Sequence, residues 1–505
     1  MKKYLKITNQ LATKFIDQVV KIPIRWYLAG VVLTGAILRF AVVTASDIWH
    51  DEGYTMMLID FSPLEIIART ARDVHPPLYY LLVHGWQHIF GGSDLAIRSF
   101  SILTGLAIIL LAYFLTRKIF SEGAARLAAL LVAFGPFLIR YSVEARMYSL
   151  SALLVLASTY SLVLALQSKK ANYKLWIAYG LLLAAGLYTQ YYTILIVPAH
   201  LLYVLWHTGG LKKALQLKPY WLANIVAALL FIPWLPVLIG QFTRVQSGFW
   251  IPPVNIHTIP NTLSQLFFNL PAFTNSKWVG WIVLLSVIAI SIYLYIRLHK
   301  LQKKHIILLS AWLFLPLILV LLVSLYRPVY YDRYFLFCAA ALHILTAVAV
   351  VYTKFLRTRP PIQILLAAAI CIPVAIGIFS IWNSPRSGHR MSEVAQTVND
   401  GFRTGDKIVS AELYTFFDFS HYNQTRQTVH LLSEGELSGH GETSLIYDRQ
   451  QEIVYHSLAD IQAKRVWLVG KVGEKDYFTT QTPNNWQLVS TKEAGDSAVR
   501  LYYLK

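Results

Sequence analysis

The stretch "SDIWHDEGYT", Ser46 to Thr55, sets Asp47, His50, Asp51 and Glu52 directly behind the apolar run "WYLAGVVLTGAILRFAVVTA". Ionisable groups at a membrane boundary are costly unless they meet water, a partner or a substrate. The plain reading of Asp51 and Glu52 is solvated loop carboxylates or a helix cap. Their company argues for chemistry, because Asp73 and His75 follow in the same interval and the set can act as acid, base or metal ligand.

Three further stretches carry reactive types. In "RYSVEARMY", Tyr141, Glu144 and Tyr148 share a face if the segment is helical, while Arg140 and Glu144 have the spacing of an ordinary ion pair. Arg146 points elsewhere, and its planar guanidinium suits a phosphate. "YTQYY" presents Gln190 and Tyr191, and "YRPVYYDRYF" presents Arg327, Tyr330, Tyr331, Asp332, Arg333 and Tyr334. Tyrosines at an interface ordinarily form an aromatic belt. Arg333 fits either a salt bridge to Asp332 or a ligand for a lipid phosphate. The Walker loop, the Rossmann glycine pattern, "HExxH" and Cys-rich spacing are all missing, so nucleotide-driven chemistry is not expected. No cofactor is demanded. A divalent metal on His and carboxylate ligands, with His75 as a candidate, remains open.

The elements that position these groups are membrane helices. Of 505 residues, 56% are hydrophobic and 14% charged, and apolar segments of the roughly 20 residues that a bilayer requires recur along most of the chain. This predicts a polytopic α-helical membrane protein. Spans fall near 26–45, 97–116, 126–140, 149–166, 175–189, 191–208, 220–239, 278–296, 306–326, 334–352 and 363–382. That makes about eleven helices, with one or two more if segments such as "HPPLYYLLVHGWQHIFG" also enter the membrane. The net charge of +19 is scattered over short loops, "RKIFSEGAAR", "KKANYK", "KKALQLK", "RLHKLQKK" and "KFLRTR" among them. It reads as the positive-inside bias and not as a nucleic-acid surface. Cys338 and Cys371 lie in apolar helices and suggest no disulfide.

This topology predicts a plasma-membrane protein with a cytoplasmic N-terminal segment 1–25, a membrane domain 26–382 with a large first outer loop 46–97, and an extracytoplasmic domain 383–505. The carboxylates, isolated arginines and tyrosine clusters then gather on the outer side. Within the first loop, "SPLEIIARTAR" has the serine cap, early proline and apolar spacing of an amphipathic helix on the membrane surface. The tail alternates helical and strand patterns, "MSEVAQTVNDGF", "DKIVSA", "LYTFFDFSHY", "TVHLLS", "RVWLVG", "WQLVSTKEA" and "AVRLYYLK", which predicts a small α/β domain.

"WHDEGYT" after the first span, "HPPLYYLLVHGW", "LAIRSFSILTG" entering the next span and "YSVEARMYSL", in this order, resemble the GT-C superfamily. The likeness is greatest to bacterial relatives of the dolichyl-phosphate-mannose protein mannosyltransferases and of the lipid A aminoarabinose transferases. It covers about residues 20 to 200, is looser to residue 382, and returns in "SPRSGHRMSEVAQTV". The resemblance implies a GT-C type core and a transferase that moves a sugar from a polyprenyl-phosphate carrier to an outer acceptor, usually with inversion. It implies a catalytic carboxylate at Asp51, with Glu52 adjacent, and donor-binding roles at Arg98, Glu144 and Arg146. Tyr148, Gln190, Tyr191, Tyr331 and Arg333 are the further candidates for substrate binding. His75 would orient Asp51, bind phosphate or ligate a metal. Many relatives have histidine where this chain has Gln190, which weakens a metal or proton-transfer role there. The implied partners are the lipid-linked sugar, membrane lipid, and a protein, glycolipid or polysaccharide acceptor.

Two other classes compete. A secondary transporter would tend to bury its charges near the midplane on broken helices, whereas these lie at one rim. A non-catalytic envelope-binding protein, using exposed aromatics such as Trp486, leaves the acids of the first loop unexplained.

Overall fold

The computed structural model describes residues 22–43, 46–169, 172–244, 251–270, 277–353, 360–383, 388–472 and 482–505. The predicted segment 1–25, the loop "KFLRTR" and the first four residues of "SPRSGHRMSEVAQTV" lie wholly or largely outside them. The chain divides into two compact units, one of Met1–Phe40, Ser101–Val143 and Met147–Ile381, the other of Ala41–Phe100, Glu144–Arg146 and Trp382–Lys505.

Among the described residues, seven helices are long and apolar enough to cross a membrane: Ile24–Val43, Asp94–Ile119, Tyr148–Gln167, Lys218–Arg244, Trp278–Arg297, Gln302–Ser324 and Asp332–Tyr352. This is a multi-pass membrane protein. The span read near 126–140 is instead a pair, Glu122–Phe134 and Pro136–Ser142, bent by 55°. Pro136 causes the break, since proline lacks the N–H that would bond back and forces the preceding Gly135 out of the helical region, to φ −60° and ψ 115°. Of the two helices read near 175–189 and 191–208, the first extends slightly further, Tyr173–Thr189, and the second is shorter, Ile196–Thr208.

In the first unit the helix Leu336–Tyr352 is buried along most of its length and forms the centre of the packing. Tyr179 and Tyr220 stack with ring centres 6.1 Å apart. Arg39 is fully buried, its Nε donating to Ser142 Oγ at 2.8 Å and its Nη1 to the carbonyls of Gly35 and Ala133. A charge inside a helix bundle needs such partners.

The second unit joins first-loop helices to a mixed sheet. The helices are His50–Ile59, Pro63–Arg72 and Leu78–Phe90. The amphipathic helix Pro63–Arg72 starts as its sequence predicts, with Glu65 accepting from both the backbone N–H and the hydroxyl of Ser62. In the tail, helices Met391–Gly401 and Leu413–Tyr422 accompany strands β1 Lys407–Ser410, β2 Val429–Leu432, β3 Val454–Tyr455, β4 Arg465–Lys471, β5 Trp486–Ala494 and β6 Ser497–Leu504. Their order is β3-β2-β1-β4-β6-β5. β1 to β4 run parallel, and β6 pairs antiparallel with β4 and β5. Val409, Val466, Leu468, Ala498 and Tyr502 form its core with Leu458 and Ile461. β4 reads as a continuous apolar run because both of its faces are covered.

Candidate functional site

Adjacent positions on a helix diverge by about 100°, so the neighbouring carboxylates of "WHDEGYT" serve different surroundings. Both occupy the first turn of helix His50–Ile59, where the helix dipole favours negative charge. Glu52 turns to Arg98 and receives Nε on Oε1 at 2.8 Å, Nη2 on Oε2 at 2.6 Å, and the backbone N–H of Ala145 on Oε1 at 2.8 Å. Arg98 also donates to the carbonyls of Val43, Ser46 and Asp47 at 2.9 to 3.1 Å. A guanidinium has five N–H donors, and these contacts engage all of them. The pair fixes three chain segments at once: the end of the first span, the acidic helix and the 144–146 turn.

Asp51 faces another group of residues. Its Oδ1 lies 3.4 Å from His50 Nε2, and its backbone carbonyl accepts from Thr55 Oγ1 at 3.2 Å and from Arg146 Nη1 at 3.1 Å. Arg146 Nη2 is 3.4 Å from His75 Nε2, and His75 Nδ1 is 3.0 Å from Asp73 Oδ2. A carboxylate accepts only, so Nδ1 carries the proton and Nε2 is left as the acceptor toward Arg146. Burial pushes the His75 pKa down; Asp73 opposes this, Arg146 adds to it, and the balance falls below the ordinary value. Burial raises Asp73, but the hydrogen bond and charge of His75, with Arg146 behind them, hold it below the usual range. The site therefore contains an ionised Asp73, a neutral His75 and a cationic Arg146 near neutral pH.

The expectation that Tyr141, Glu144 and Tyr148 share a helical face is not met. Helices end at Ser142 and resume at Tyr148, with a turn between in which Arg146 N–H bonds back to Glu144 C=O at 2.8 Å. The turn puts Glu144 and Arg146 in the second unit and leaves Tyr148 in the first. Also in the first unit, the Arg333 guanidinium lies over the rings of Tyr331, Tyr148 and Tyr334 at 4.9, 5.5 and 5.9 Å. Asp332 accepts from Thr262 Oγ1 at 2.7 Å. Gln190 is buried at the end of helix Tyr173–Thr189, and Tyr191 bonds Gln241 while accepting from Trp234 Nε1 at 2.8 Å. The structure thus brings Asp51, Glu52, His75, Arg98, Glu144 and Arg146 together in one unit, and Tyr148, Tyr331 and Arg333 together in the other.

Sequence reasoning missed the tail's share of the second unit. Tyr414 packs on His50 with ring centres 4.5 Å apart, and Phe417 packs edge-on against Tyr54 at 6.0 Å. Asp47 accepts from the backbone N–H of Ser392 at 2.7 Å, and Asp94 is 2.6 Å from both His421 Nε2 and the Tyr422 hydroxyl. Arg69 donates to the carbonyls of Ser444 and Leu445 and pairs with Asp448 at 3.1 Å. His389 lies between Asp496 at 2.8 Å and Asp418 at 3.2 Å. A cavity of about 400 Å³ beside this set is lined by Asp47, Asp94, Arg98, His389 and Arg390. One signal was available: Asp418 is a lone carboxylate among the aromatics of "LYTFFDFSHY".

Among the described residues no group of three or more His, Cys, Asp or Glu is arranged to hold a metal ion, and both ring nitrogens of His75 already face Asp73 and Arg146.

Residues 74–236 match the family model of the dolichyl-phosphate-mannose-protein mannosyltransferases. No curated protein sequence matches the chain significantly. Among solved structures, the chain is similar to the Cupriavidus metallidurans ArnT bound to undecaprenyl phosphate, at 12% identity and TM-score 0.64 over 94% of this chain and 98% of that one. It is also similar to the Archaeoglobus fulgidus oligosaccharyltransferase in the apo form, at 13% identity and TM-score 0.54 over 88% and 70%. The same archaeon's AglB, in complex with an inhibitory peptide and a dolichol-phosphate, gives 14% identity and TM-score 0.51 over 88% and 69%. The fold is the GT-C glycosyltransferase fold, in its ArnT-like form with a small C-terminal mixed sheet. The resemblance carried by "WHDEGYT" and its companions agrees with the fold.

Proposed function

We propose that this protein moves a sugar from a polyprenyl-phosphate carrier to an acceptor on the outer face of the plasma membrane, with inversion and with Asp51 as general base. The N-terminus is then cytoplasmic and the tail extracytoplasmic. The observation that carries the reading is the division of labour between the two adjacent carboxylates: Glu52 is gripped by Arg98 and Ala145, whereas Asp51 adjoins His50 and the Arg146, His75 and Asp73 series. An acceptor hydroxyl is a poor nucleophile, and a fixed carboxylate takes its proton as it attacks the anomeric carbon. The leaving group is a lipid phosphate whose charge grows as the bond breaks, and a preorganised guanidinium stabilises that charge. Arg146 is assigned to this role; Arg333, with Tyr331 and Tyr148 beside it, is proposed separately as a ligand for the donor phosphate. Arg98 and Glu52 are assigned to positioning, because their donors and acceptors are already engaged, and His75 to orienting Arg146. The ArnT structure was solved with undecaprenyl phosphate, which supports a lipid phosphate as part of the donor. Protein, glycolipid and polysaccharide acceptors all present the hydroxyl that the mechanism needs.

The test is transfer from a panel of radiolabelled polyprenyl-phosphate sugars by purified protein in liposomes, wild type against Asp51→Asn. The proposal expects wild-type transfer that largely disappears in the folded variant. Equal rates in the two proteins would sink the base assignment.

A further inference from the structure

From Ala145 to Tyr331 the sequence has no Asp or Glu, against fourteen Lys and Arg. Half of these cations lie at two helix junctions of the first unit. Lys212, Lys213 and Lys218 stand between the end of helix Ile196–Thr208 and the start of helix Lys218–Phe231, and Arg297, Lys300, Lys303 and Lys304 where helix Trp278–Arg297 gives way to Gln302–Ser324. Lys304 Nζ lies 3.0 Å from His207 Nδ1, which brings the two junctions to one end of the bundle. With no acid in this stretch of chain, the charge there has to be balanced from outside it, and an anionic membrane surface supplies the balance.

One of the junctions is shaped as a groove. Gly209 and Gly210, at φ of +82° and +132°, turn the chain out of helix Ile196–Thr208 in conformations that suit glycine. A single helical turn, Leu211–Leu215, follows, and then helix Lys218–Phe231. Trp221 Nε1 donates to the carbonyl of Ala214 at 3.0 Å and pins the short turn to the longer helix. A groove of about 360 Å³ is lined by Leu215, Lys218, Trp221, Leu222 and Ile225. Lys218, Leu222 and Ile225 are spaced four and three apart and share a face, so the ammonium stands at the start of the span and an apolar wall runs on from it. Leu215, Leu222 and Ile225 are 57%, 60% and 53% exposed, and Lys212 and Lys213 are exposed on the turn beside them. Among the described residues none of the three lysines pairs with a carboxylate.

We infer that this groove binds an anionic glycerophospholipid, with the lipid phosphate against Lys218, Lys212 and Lys213 on the turn beside it, and one acyl chain along Leu222 and Ile225. The inference stands apart from the transferase reading. The lysines select an anionic headgroup over a zwitterionic one, because no carboxylate is present to meet a choline or ethanolamine cation. The apolar wall selects a lipid over a soluble anion, since a free phosphate leaves Leu222 and Ile225 uncovered.

The test needs no sugar substrate. Full-length protein in detergent is titrated with phosphatidylglycerol and, separately, with phosphatidylcholine of the same acyl chains, and the bound lipid is counted by native mass spectrometry. Wild type should bind phosphatidylglycerol more tightly than phosphatidylcholine. Lys218→Gln should weaken phosphatidylglycerol about fivefold, the usual contribution of one lysine to an anionic lipid, while Lys218→Arg keeps wild-type affinity. Changing Lys212, Lys213 and Lys218 to Gln together should remove the preference. Leu222→Trp fills the groove with every charge in place and should also weaken phosphatidylglycerol. Lys303→Gln, at the same end of the bundle but outside the groove, should leave the tightest-bound lipid as in wild type. Equal affinity of wild type for the two lipids, or equal losses in Lys218→Gln and Lys303→Gln, overturns the site and leaves only a diffuse surface charge. Undiminished binding in Leu222→Trp overturns the acyl-chain groove, because the lysines would then hold a headgroup alone.

Discussion

Glu52 and Arg98 hold each other through two parallel bonds, 2.8 and 2.6 Å long, inside a part of the chain where both side chains are almost fully buried. The same guanidinium reaches three backbone carbonyls of the segment that leaves the first span. Lysine carries the charge but not the planar fork, and removing one member of a buried pair strands the other at about 3–5 kcal/mol. Arg98→Gln is therefore expected to lower stability by that order, and Arg98→Lys, which keeps the charge and loses the fork, by less. Thermal unfolding of the full-length protein in nanodiscs measures it, and a wild-type melting temperature in Arg98→Gln would contradict the clamp.

Asp51 is expected to behave differently from its neighbour. Asp51→Asn keeps the side-chain shape and leaves the bonds to the backbone carbonyl untouched, so its melting temperature should match wild type. Transfer should fall by about 10²- to 10⁴-fold, the usual contribution of a positioned base. Glu52→Gln should lose activity and stability together. A folded Glu52→Gln with intact stability and no activity would move the base from Asp51 to Glu52.

Arg333 supplies a test of donor binding. Buried among Tyr148, Tyr331 and Tyr334, it is held as a cation by ring faces, which leaves the geometry of a phosphate site intact when lysine replaces it. Undecaprenyl phosphate binding to purified protein should weaken about tenfold to a hundredfold in Arg333→Gln, as for loss of a hydrogen bond to a charged group, and less in Arg333→Lys. Equal affinities in all three proteins would remove Arg333 from the phosphate site.

The parts of this molecule that follow local rules were legible in the sequence. The apolar spans, the Ser62 cap with Glu65, and most of the strands, as the apolar run of β4 illustrates, come from length, periodicity and short-range bonding. The WHDEGYT motif falls on the short helix His50–Ile59 that follows the first span. What could not be read were contacts between residues more than three hundred positions apart. Asp47 with Ser392, Asp94 with Tyr422 and Arg69 with Ser444 join the first loop to the tail, and no local pattern encodes such pairings. The helical reading of "RYSVEARMY" failed because spacing alone does not reveal that the chain turns between Ser142 and Tyr148.

Gly53, in the middle of the acidic motif, has a steric reason to be glycine. A Cβ there would lie 2.7 Å from Asp418 Oδ1 and 3.0 Å from the Phe417 backbone, closer than carbon and its neighbours ordinarily come. The first-loop helix can approach helix Leu413–Tyr422 only without a side chain at this position. Gly53→Ala should destabilise by about 1–3 kcal/mol, the range of overpacked substitutions, although alanine is the better helix former. Limited proteolysis of the tail, alongside the melting temperature, should show faster cleavage. A variant as stable and as protected as wild type would mean that the two helices separate freely.

His389 gives the second unit a pH dependence with a definite sign. Burial alone would lower its pKa, but the hydrogen bonds and charges of Asp418 and Asp496 prevail and raise it from 6.5 to about 9. The folded state then holds this proton more tightly than the unfolded chain. The stability so gained is fully present below the unfolded value of 6.5 and is lost as pH rises through about 9, at most about 3 kcal/mol by linkage. Asp418, raised by burial to about 6 against the opposition of His389, adds a slope of the same sign at lower pH, between 3.8 and 6. The melting temperature should therefore fall between pH 6.5 and 9 in wild type. His389→Gln should melt lower at pH 6.5 and show little change across the same window. Parallel curves for the two proteins would assign that pH dependence to other groups and leave His389 as a neutral packing residue.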